Sequence, residues 1–355
     1  MDLQRNTTVI TAECLCKSHK LSLEVSTSKL PLECNICHCN SCRYSTGALF
    51  VIETTWPQPR ESVDISGLQR YQFSTNITYR FCGTCSTLMF YESVKYPSKL
   101  GVFYGPLKNL DNDLIKLTKQ IYVDDTRDGG ASFWFRKPNA DGKEIPRYAE
   151  QVSEDGELAP SWPEVNIFER RWQSKGPTFI SCHCKGINLL LHFENYNTED
   201  RAELPWFIDP KTNKPIAGFA VYDPCHPYSS NEIINWVFVD LGIISQGNGR
   251  AFPRTVAKLK AAVDAGDSTV GTLACYQSSS EVQRYFCKVC SASAFYTCSK
   301  RPEIVGVAMG LLKAPSGARA DICLSWNYGD ISMSLNDATG GWRGRLIKRV
   351  QTDAE

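Results

Sequence analysis

The sequence predicts a mainly β protein made of two tandem sheet domains. Three observations point there. Short runs such as Lys20-Leu-Ser-Leu-Glu-Val alternate with the period of two expected of half-buried strands. Long helical periodicity is scarce. The same cysteine-bearing pattern occurs twice in 355 residues, a length that suits about two domains.

The elements can be justified in chain order. Ala48-Leu-Phe-Val-Ile and Trp236-Val-Phe-Val are short β-rich runs. Ile77-Thr-Tyr-Arg-Phe is a strand that leads directly into Cys82. A helix is expected near residues 254–265, with Pro253 suited to its start and Gly266 to its stop. Residues 153–165 are acidic and proline-containing and read as a linker. The expected division is therefore a first domain at 1–152, a linker at 153–165 and a second domain at 166–355.

The cysteines come in pairs, and the pairs repeat. The first half carries Cys14-Leu-Cys16, Cys34, Cys37-His-Cys39-Asn-Ser-Cys42 and Cys82-Gly-Thr-Cys85. The second half carries Cys182-His-Cys184, Cys225 and Cys287-Lys-Val-Cys290. Cys82 and Cys287 lie 205 positions apart, as do Cys85 and Cys290, Tyr71 and Tyr276, Phe90 and Phe295, Gly105 and Gly310, and Lys108 and Lys313. The first pairs, Cys14/Cys182 and Cys16/Cys184, are offset by 168 instead. The second copy thus holds 37 additional residues between its two cysteine pairs, the predicted helix among them.

Composition narrows the function classes. Hydrophobic residues make up 42% of the chain, too many for a disordered protein. A formal net charge of +1 gives no electrostatic case for nucleic acid or an anionic membrane surface. The basic stretch Arg343, Arg345, Lys348 and Arg349 reads as a solvated tail. The longest apolar run, Ile304 to Leu312, is far short of the ~20 residues that cross a bilayer. The N-terminal residues lack the apolar stretch of a signal peptide. An intracellular, cytoplasmic protein is expected, in which sixteen reduced cysteines point to metal rather than disulfides.

Two thiolate turns from distant parts of a chain can complete a tetrahedral zinc site, which is closed and structural. Cys14, Cys16, Cys82 and Cys85 fit one such site, and Cys182, Cys184, Cys287 and Cys290 fit another. The triplet Cys37, Cys39 and Cys42 differs. Three ligands leave a coordination position free, as a catalytic zinc needs. Cys34 is an alternative fourth ligand that would close it. About three zinc ions per chain are expected on these clusters. The second copy keeps only Cys225 of the triplet, with Asp223 and Tyr228 where Cys37 and Cys42 would fall, and His226 as a weak substitute. It reads as having lost its chemistry. His38 and His183, each between paired cysteines, are expected to point away from metal toward the surface.

The order Cys14-Leu-Cys16, Cys37-His-Cys39-Asn-Ser-Cys42-Arg43 and Arg80-Phe-Cys82-Gly-Thr-Cys85 resembles the glutathione-dependent formaldehyde-activating enzyme family, which includes centromere protein V. The resemblance covers about residues 10–150 well and about 175–330 more loosely. It implies a pair of zinc-pinned sheets, a "β-tent", in each domain. It also implies a structural zinc on Cys14, Cys16, Cys82 and Cys85 and a labile, catalytic one on Cys37, Cys39 and Cys42. The implied activity is carbon–sulfur lyase chemistry on a glutathione (thiol) adduct of a small carbonyl compound or metabolite, with glutathione a candidate co-substrate. Three features depart from the family: Lys17-Ser18 and Ser86 stand where glycines are usual, and the second copy lacks the triplet.

Zinc in that position would hold a thiol, whose free pKa is ~8.5, as thiolate, or else activate a water. Three thiolates leave a zinc site with net charge −1, so Arg43 or main-chain amides are expected to offset it. Rival readings keep the zinc without catalysis: a scaffold or binding module or, by analogy with centromere protein V, a chromatin or microtubule binder, which the lack of a basic tract disfavours. The expected partner is a small thiol adduct, with no nucleic acid and no membrane.

Overall fold

The structure, a computed structural model, describes residues 6–108, 114–153, 155–163, 176–193, 204–221, 225–231, 233–328 and 341–354. Each half folds into a seven-stranded mixed sheet and a three-stranded antiparallel one. In the first unit the large sheet runs, edge to edge, Ile115–Ile121, Leu32–Cys37, Val51–Pro59, Lys99–Phe103, Leu88–Ser93, Ile77–Phe81 and Gln69–Gln72. The second unit repeats that order with Ser325–Trp326, Ile216–Ala220, Ile234–Asp240, Ile304–Ala308, Ser293–Cys298, Val282–Cys287 and Leu273–Gln277. In each sheet the first two of these strands are the one parallel pair. The predicted strand at Ile77–Phe81 is present with those bounds. The β-rich run at 48–52 joins its strand only at Val51, while Ala48, Leu49 and Phe50 are wholly buried beside it.

Helices are few. The first, α1 (Asn40–Thr46), follows directly on the triplet strand and ends at Gly47, whose φ of +80° is the left-handed cap that favours glycine. Its counterpart α2 (Cys225–Ser229) occupies the same place in the second unit. The insertion helix predicted for 254–265 is α3 (Val256–Asp264). Its cap is Thr255, whose side chain accepts from the Lys258 amide, so Pro253 precedes the helix rather than opening it. The basic C-terminal stretch is not a solvated tail. It is part of α4 (Gly341–Ala354), which packs on residues 132–135 of the first unit and buries Ile347 and Val350 completely or nearly so. Arg345 and Arg349 are half-buried there and Lys348 is exposed; the side chain of Arg343 lies outside the described residues. No helix among the described residues is long and apolar enough to cross a membrane.

The two units share one continuous apolar core, reaching from Ile10 and Trp134 in the first to Phe219, Phe295 and Val350 in the second. Burial on this scale supplies most of the folding free energy, at roughly 25 cal/mol per Å² of apolar surface. The boundary between units is also stitched by main-chain bonds. Gly310 donates to the Gly47 carbonyl at 2.8 Å, and Gly105, the repeat partner of Gly310, donates to the Ser230 carbonyl at 3.0 Å. A side chain at Gly47 would meet the Ser293 carbonyl oxygen at 2.1 Å, so the contact requires glycine. Residues 155–163 lie back against the first unit, held by Arg147, which donates to the carbonyls of Ala159, Pro160 and Trp162.

Candidate metal centre

In each unit a Cys-x-Cys turn from the small sheet meets a Cys-x-x-Cys turn from the large one. The sulfurs of Cys14, Cys16, Cys82 and Cys85 all lie within 4.8 Å of one another, as do those of Cys182, Cys184, Cys287 and Cys290. The separations are 3.6 Å for Cys14–Cys16, 3.5 Å for Cys16–Cys82 and 3.4 Å for Cys184–Cys287. All sixteen cysteines are free thiols. A bonded pair would sit at ~2.05 Å, whereas four sulfurs ~2.3 Å from a central ion would stand roughly 3.8 Å apart. The spacing therefore suits a metal. Amide donors surround the sulfurs in the manner that thiolates require: Cys16 donates to Cys85 at 3.4 Å, His19 to Cys14 at 3.3 Å and Ile187 to Cys182 at 3.2 Å.

The turns explain the missing glycines. Lys17, Ser86, Lys185 and Ser291 all have φ between 61° and 64°, in the left-handed region that glycine occupies freely. The Oγ atoms of Ser86 and Ser291 are also buried without a hydrogen-bond partner. A left-handed non-glycine residue costs ~1–2 kcal/mol. We therefore expect the double variant Ser86→Gly/Ser291→Gly to gain about 1 kcal/mol per site, read as a raised thermal midpoint with unchanged metal content. A lowered midpoint would contradict this account of the turns.

The triplet forms a third cluster. The sulfurs of Cys37, Cys39 and Cys42 lie within 4.8 Å of one another, and no fourth His, Cys, Asp or Glu among the described residues joins them. Strand geometry delivers the first ligand and excludes Cys34. Neighbouring residues on a strand face opposite ways, so Cys34 and Ile36 enter the main core while Cys37 faces the small cluster of Tyr79, Phe81, Leu88 and Phe103. Cys34 is fully buried, and burial together with Glu53 pushes its thiol up. Cys39 caps α1, its sulfur accepting from the Cys42 amide at 3.2 Å. Hydrogen bonds from Cys37 and Cys42 pull the Cys39 thiol down to about 3, and the same shared bonds with burial hold Cys37 and Cys42 well up. The cluster thus stabilises negative charge on sulfur.

That stabilisation comes first from the Cys37 and Cys42 thiols and then from the Cys42 and Ser41 amides, while Arg43 acts on Cys39 only through its charge. The Arg43 guanidinium is 3% exposed and donates to the Leu312 carbonyl of the second unit, not to any of the three thiols.

Several groups around the triplet carried no signal in the spacing of cysteines. The Tyr79 hydroxyl lies 3.8 Å from Cys42 Sγ, and burial together with the thiols pushes it well up, so it stays a phenol. Tyr91 donates to Glu53, whose carboxyl is pushed up by burial against the opposing bonds from Tyr91 and Asn35. His38 is wholly buried, not on the surface. Gln120 donates through Nε2 to the carbonyls of Ser132 and Phe135, so its Oε1 accepts from His38 Nε2 at 2.8 Å. Burial holds His38 at about 4 and hence neutral. His183 is half-buried and crosses between the units. Its amide donates to the Tyr44 carbonyl at 2.9 Å, its ring meets the Tyr71 hydroxyl at 2.5 Å, and it stacks on Phe73 at 4.7 Å. Tyr71 and Phe73 pack on the triplet's cluster, so the second unit's cysteine turn forms part of that site's wall.

The corresponding place in the second unit is filled by side chains. The 205-residue offset pairs Tyr79 with Arg284, and both Nη atoms of Arg284 stand 3.8 Å from Cys225 Sγ. Tyr228, expected at the position of Cys42, is fully buried under that guanidinium at 5.0 Å, and its hydroxyl donates to the Tyr285 carbonyl. Sheet register pairs Glu53 with Phe103 and Trp236 with Ala308, so Trp236 replaces Glu53. A fixed cation thus stands beside the one retained thiol. Asp223 and the side chain of His226 lie outside the described residues. Truncating a buried guanidinium removes both volume and charge complementarity, so Arg284→Ala is expected to cost ~2–4 kcal/mol with no loss of metal. Unchanged denaturation midpoints would contradict this packing role.

The fold and these clusters define a tandem β protein with two four-cysteine sites and one three-cysteine site. Residues 9–125 match the family Glutathione-dependent formaldehyde-activating enzyme, and a second, similar sheet domain stands in tandem with that stretch. No curated protein matches the chain.

Proposed function

We propose that the protein is a zinc-dependent carbon–sulfur lyase-type enzyme that acts on glutathione adducts of a small carbonyl compound. The observation that carries the reading is the contrast between the two units. The first sets a three-sulfur cluster beside a neutral phenol and a half-buried carboxyl, whereas the second keeps the thiol of Cys225 and has Arg284, Tyr228 and Trp236 at the positions of Tyr79, Cys42 and Glu53.

Cys37, Cys39 and Cys42 would hold the ion, which when bound supplies charge that keeps a substrate sulfur as thiolate. Tyr79 orients the reacting groups by hydrogen bonding as a phenol. The Tyr91–Glu53 pair moves the proton of the adduct hydroxyl. As the carbon–sulfur bond breaks, its electron pair goes to sulfur, the hydroxyl oxygen closes to a carbonyl and its proton passes to the pair. The reverse direction joins thiol and carbonyl. Phe73 and His183 restrict water from one side. A reducing compartment would keep these cysteines as the free thiols that can hold metal.

Exchange of ¹³C-formaldehyde with glutathione, followed by NMR, tests this. Acceleration by the native protein, lost in Cys39→Ser and reduced ~10²–10⁴-fold in Glu53→Gln as expected of a general acid–base group, supports the reading. A rate equal to that of buffer for this and other small aldehydes removes it. The alternative is a zinc-stabilised scaffold or binding protein without catalysis. One observation favours it: the second unit keeps its sheets and four-cysteine site without the triplet.

A further inference from the structure

A cavity of about 330 Å³ lies at the boundary of the two units, on the side of α1 that carries Asn40, Arg43 and Tyr44. Its opposite wall is the second unit's segment 312–318. Neither unit closes it alone. The lining holds three cationic side chains, Arg43, Arg127 and Lys313, against one carboxylate, Asp125. That carboxylate is already engaged, accepting from the Asn40 amide at 2.8 Å.

Arg43 is the informative residue. A guanidinium carries five N–H donors, and burying one without an anionic partner is costly. Arg43 is 3% exposed, yet its single hydrogen bond among the described residues is the 3.5 Å contact with the Leu312 carbonyl. Its Nε is buried with no hydrogen-bond partner, it lies over the Tyr44 ring at 5.5 Å, and among the described residues Asp125 and Asp128 act on it only through their charge, without a contact ion pair. Lys313 approaches from the second unit, its Nζ 4.7 Å from the centre of the Tyr44 ring, and Arg127 is exposed at the rim. Together these make a partly enclosed cationic cradle with unused donors, of a size for a small molecule rather than a lone ion.

We propose that this cavity is a binding site for a small carboxylate-bearing molecule, built jointly by the two units, with Arg43 and Lys313 as its anion contacts. The choice of carboxylate over phosphate, which shares the same fork geometry, rests on the reading of the triplet as a glutathione-adduct site. The anion site itself does not. On this view the second unit, whose own triplet position is filled by Arg284, supplies the wall that holds the anionic end of a ligand near α1.

The test is calorimetric titration of the full chain at low salt with S-methylglutathione, whose carboxylates are intact and whose thiol is blocked, and separately with inorganic phosphate. The expected result is one S-methylglutathione per chain, weakened at least tenfold by Lys313→Ala and retained in the Cys37/Cys39/Cys42→Ser variant. Lys313 is half-exposed and its amide bond to the Phe179 carbonyl survives the substitution, so folding is preserved. Equal affinity in Lys313→Ala, absence of binding, or binding of phosphate alone would overturn the proposal. Because the readout is binding and not turnover, the site can fail while the lyase reading stands. The lyase reading can likewise fail while S-methylglutathione still binds.

Discussion

Cys182→Ala is expected to unfold the second unit and to take much of the first with it. A closed four-thiolate site contributes apparent folding free energy of ~10–16 kcal/mol, which matches or exceeds the ~5–15 kcal/mol total of an ordinary domain. Removing one ligand leaves the other three sulfurs of the set, Cys184, Cys287 and Cys290, buried or half-buried within 4.8 Å of each other without the charge that reconciles them. The damage does not stop at the unit boundary. The apolar core is continuous across it, and the turn between Cys182 and Cys184 carries His183, which holds Tyr71 and Phe73 at the triplet's wall. Circular dichroism and metal content measured together check this. A cooperative melt near that of the native protein, with full metal content, would show that the four cysteines are not a metal-dependent pin.

Cys39→Ser is expected to do the opposite: keep the fold and abolish turnover. Serine is a good helix cap, so the bond from the Cys42 amide that opens α1 survives in the variant. The sulfur that the cluster holds most strongly as thiolate does not. A metal contributes several kcal/mol of charge stabilisation to such a reaction, and each 1.36 kcal/mol is tenfold in rate. A fall in kcat/KM on the order of 10³-fold is therefore expected, with a thermal midpoint within a few degrees of the native one. Native turnover in this variant would remove Cys39 from the chemistry, and global unfolding would make the triplet structural.

Much of this arrangement was legible before any coordinates, for a physical reason. Metal ligands of one kind must repeat at fixed short spacings to reach a common point, so Cys14-x-Cys16 and Cys82-x-x-Cys85 announce themselves, and the constant 205-residue offset carries the reading to the second unit. Strand parity separates Cys34 from Cys37 only once the strand Leu32–Cys37 is known, so Cys34 stayed open as a fourth ligand in the sequence and the fold removes it. The contacts between the units left no such trace. His183 reads as a surface residue in a cysteine turn because nothing in its neighbourhood says that Tyr71, 112 positions earlier, will meet it. His38 is buried by partners 82 positions away. The basic face of the C-terminal segment conceals that Ile347 and Val350 dock on the first unit. Arg284 is the instructive omission. The offset that pairs Cys82 with Cys287 also pairs Tyr79 with Arg284, and a cation at the position of a site aromatic was a readable sign that this part of the second unit had been rebuilt.

The account's central claim is that the chain has two closed metal sites and one separate open one, and elemental analysis tests it most directly. Zinc per chain should be about three in the native protein and about two in a Cys37/Cys39/Cys42→Ser variant that retains its fold, as the three clusters require. Two ions in both proteins would mean that the triplet holds no metal. The lyase reading would then lose its physical basis, and the scaffold reading would take its place.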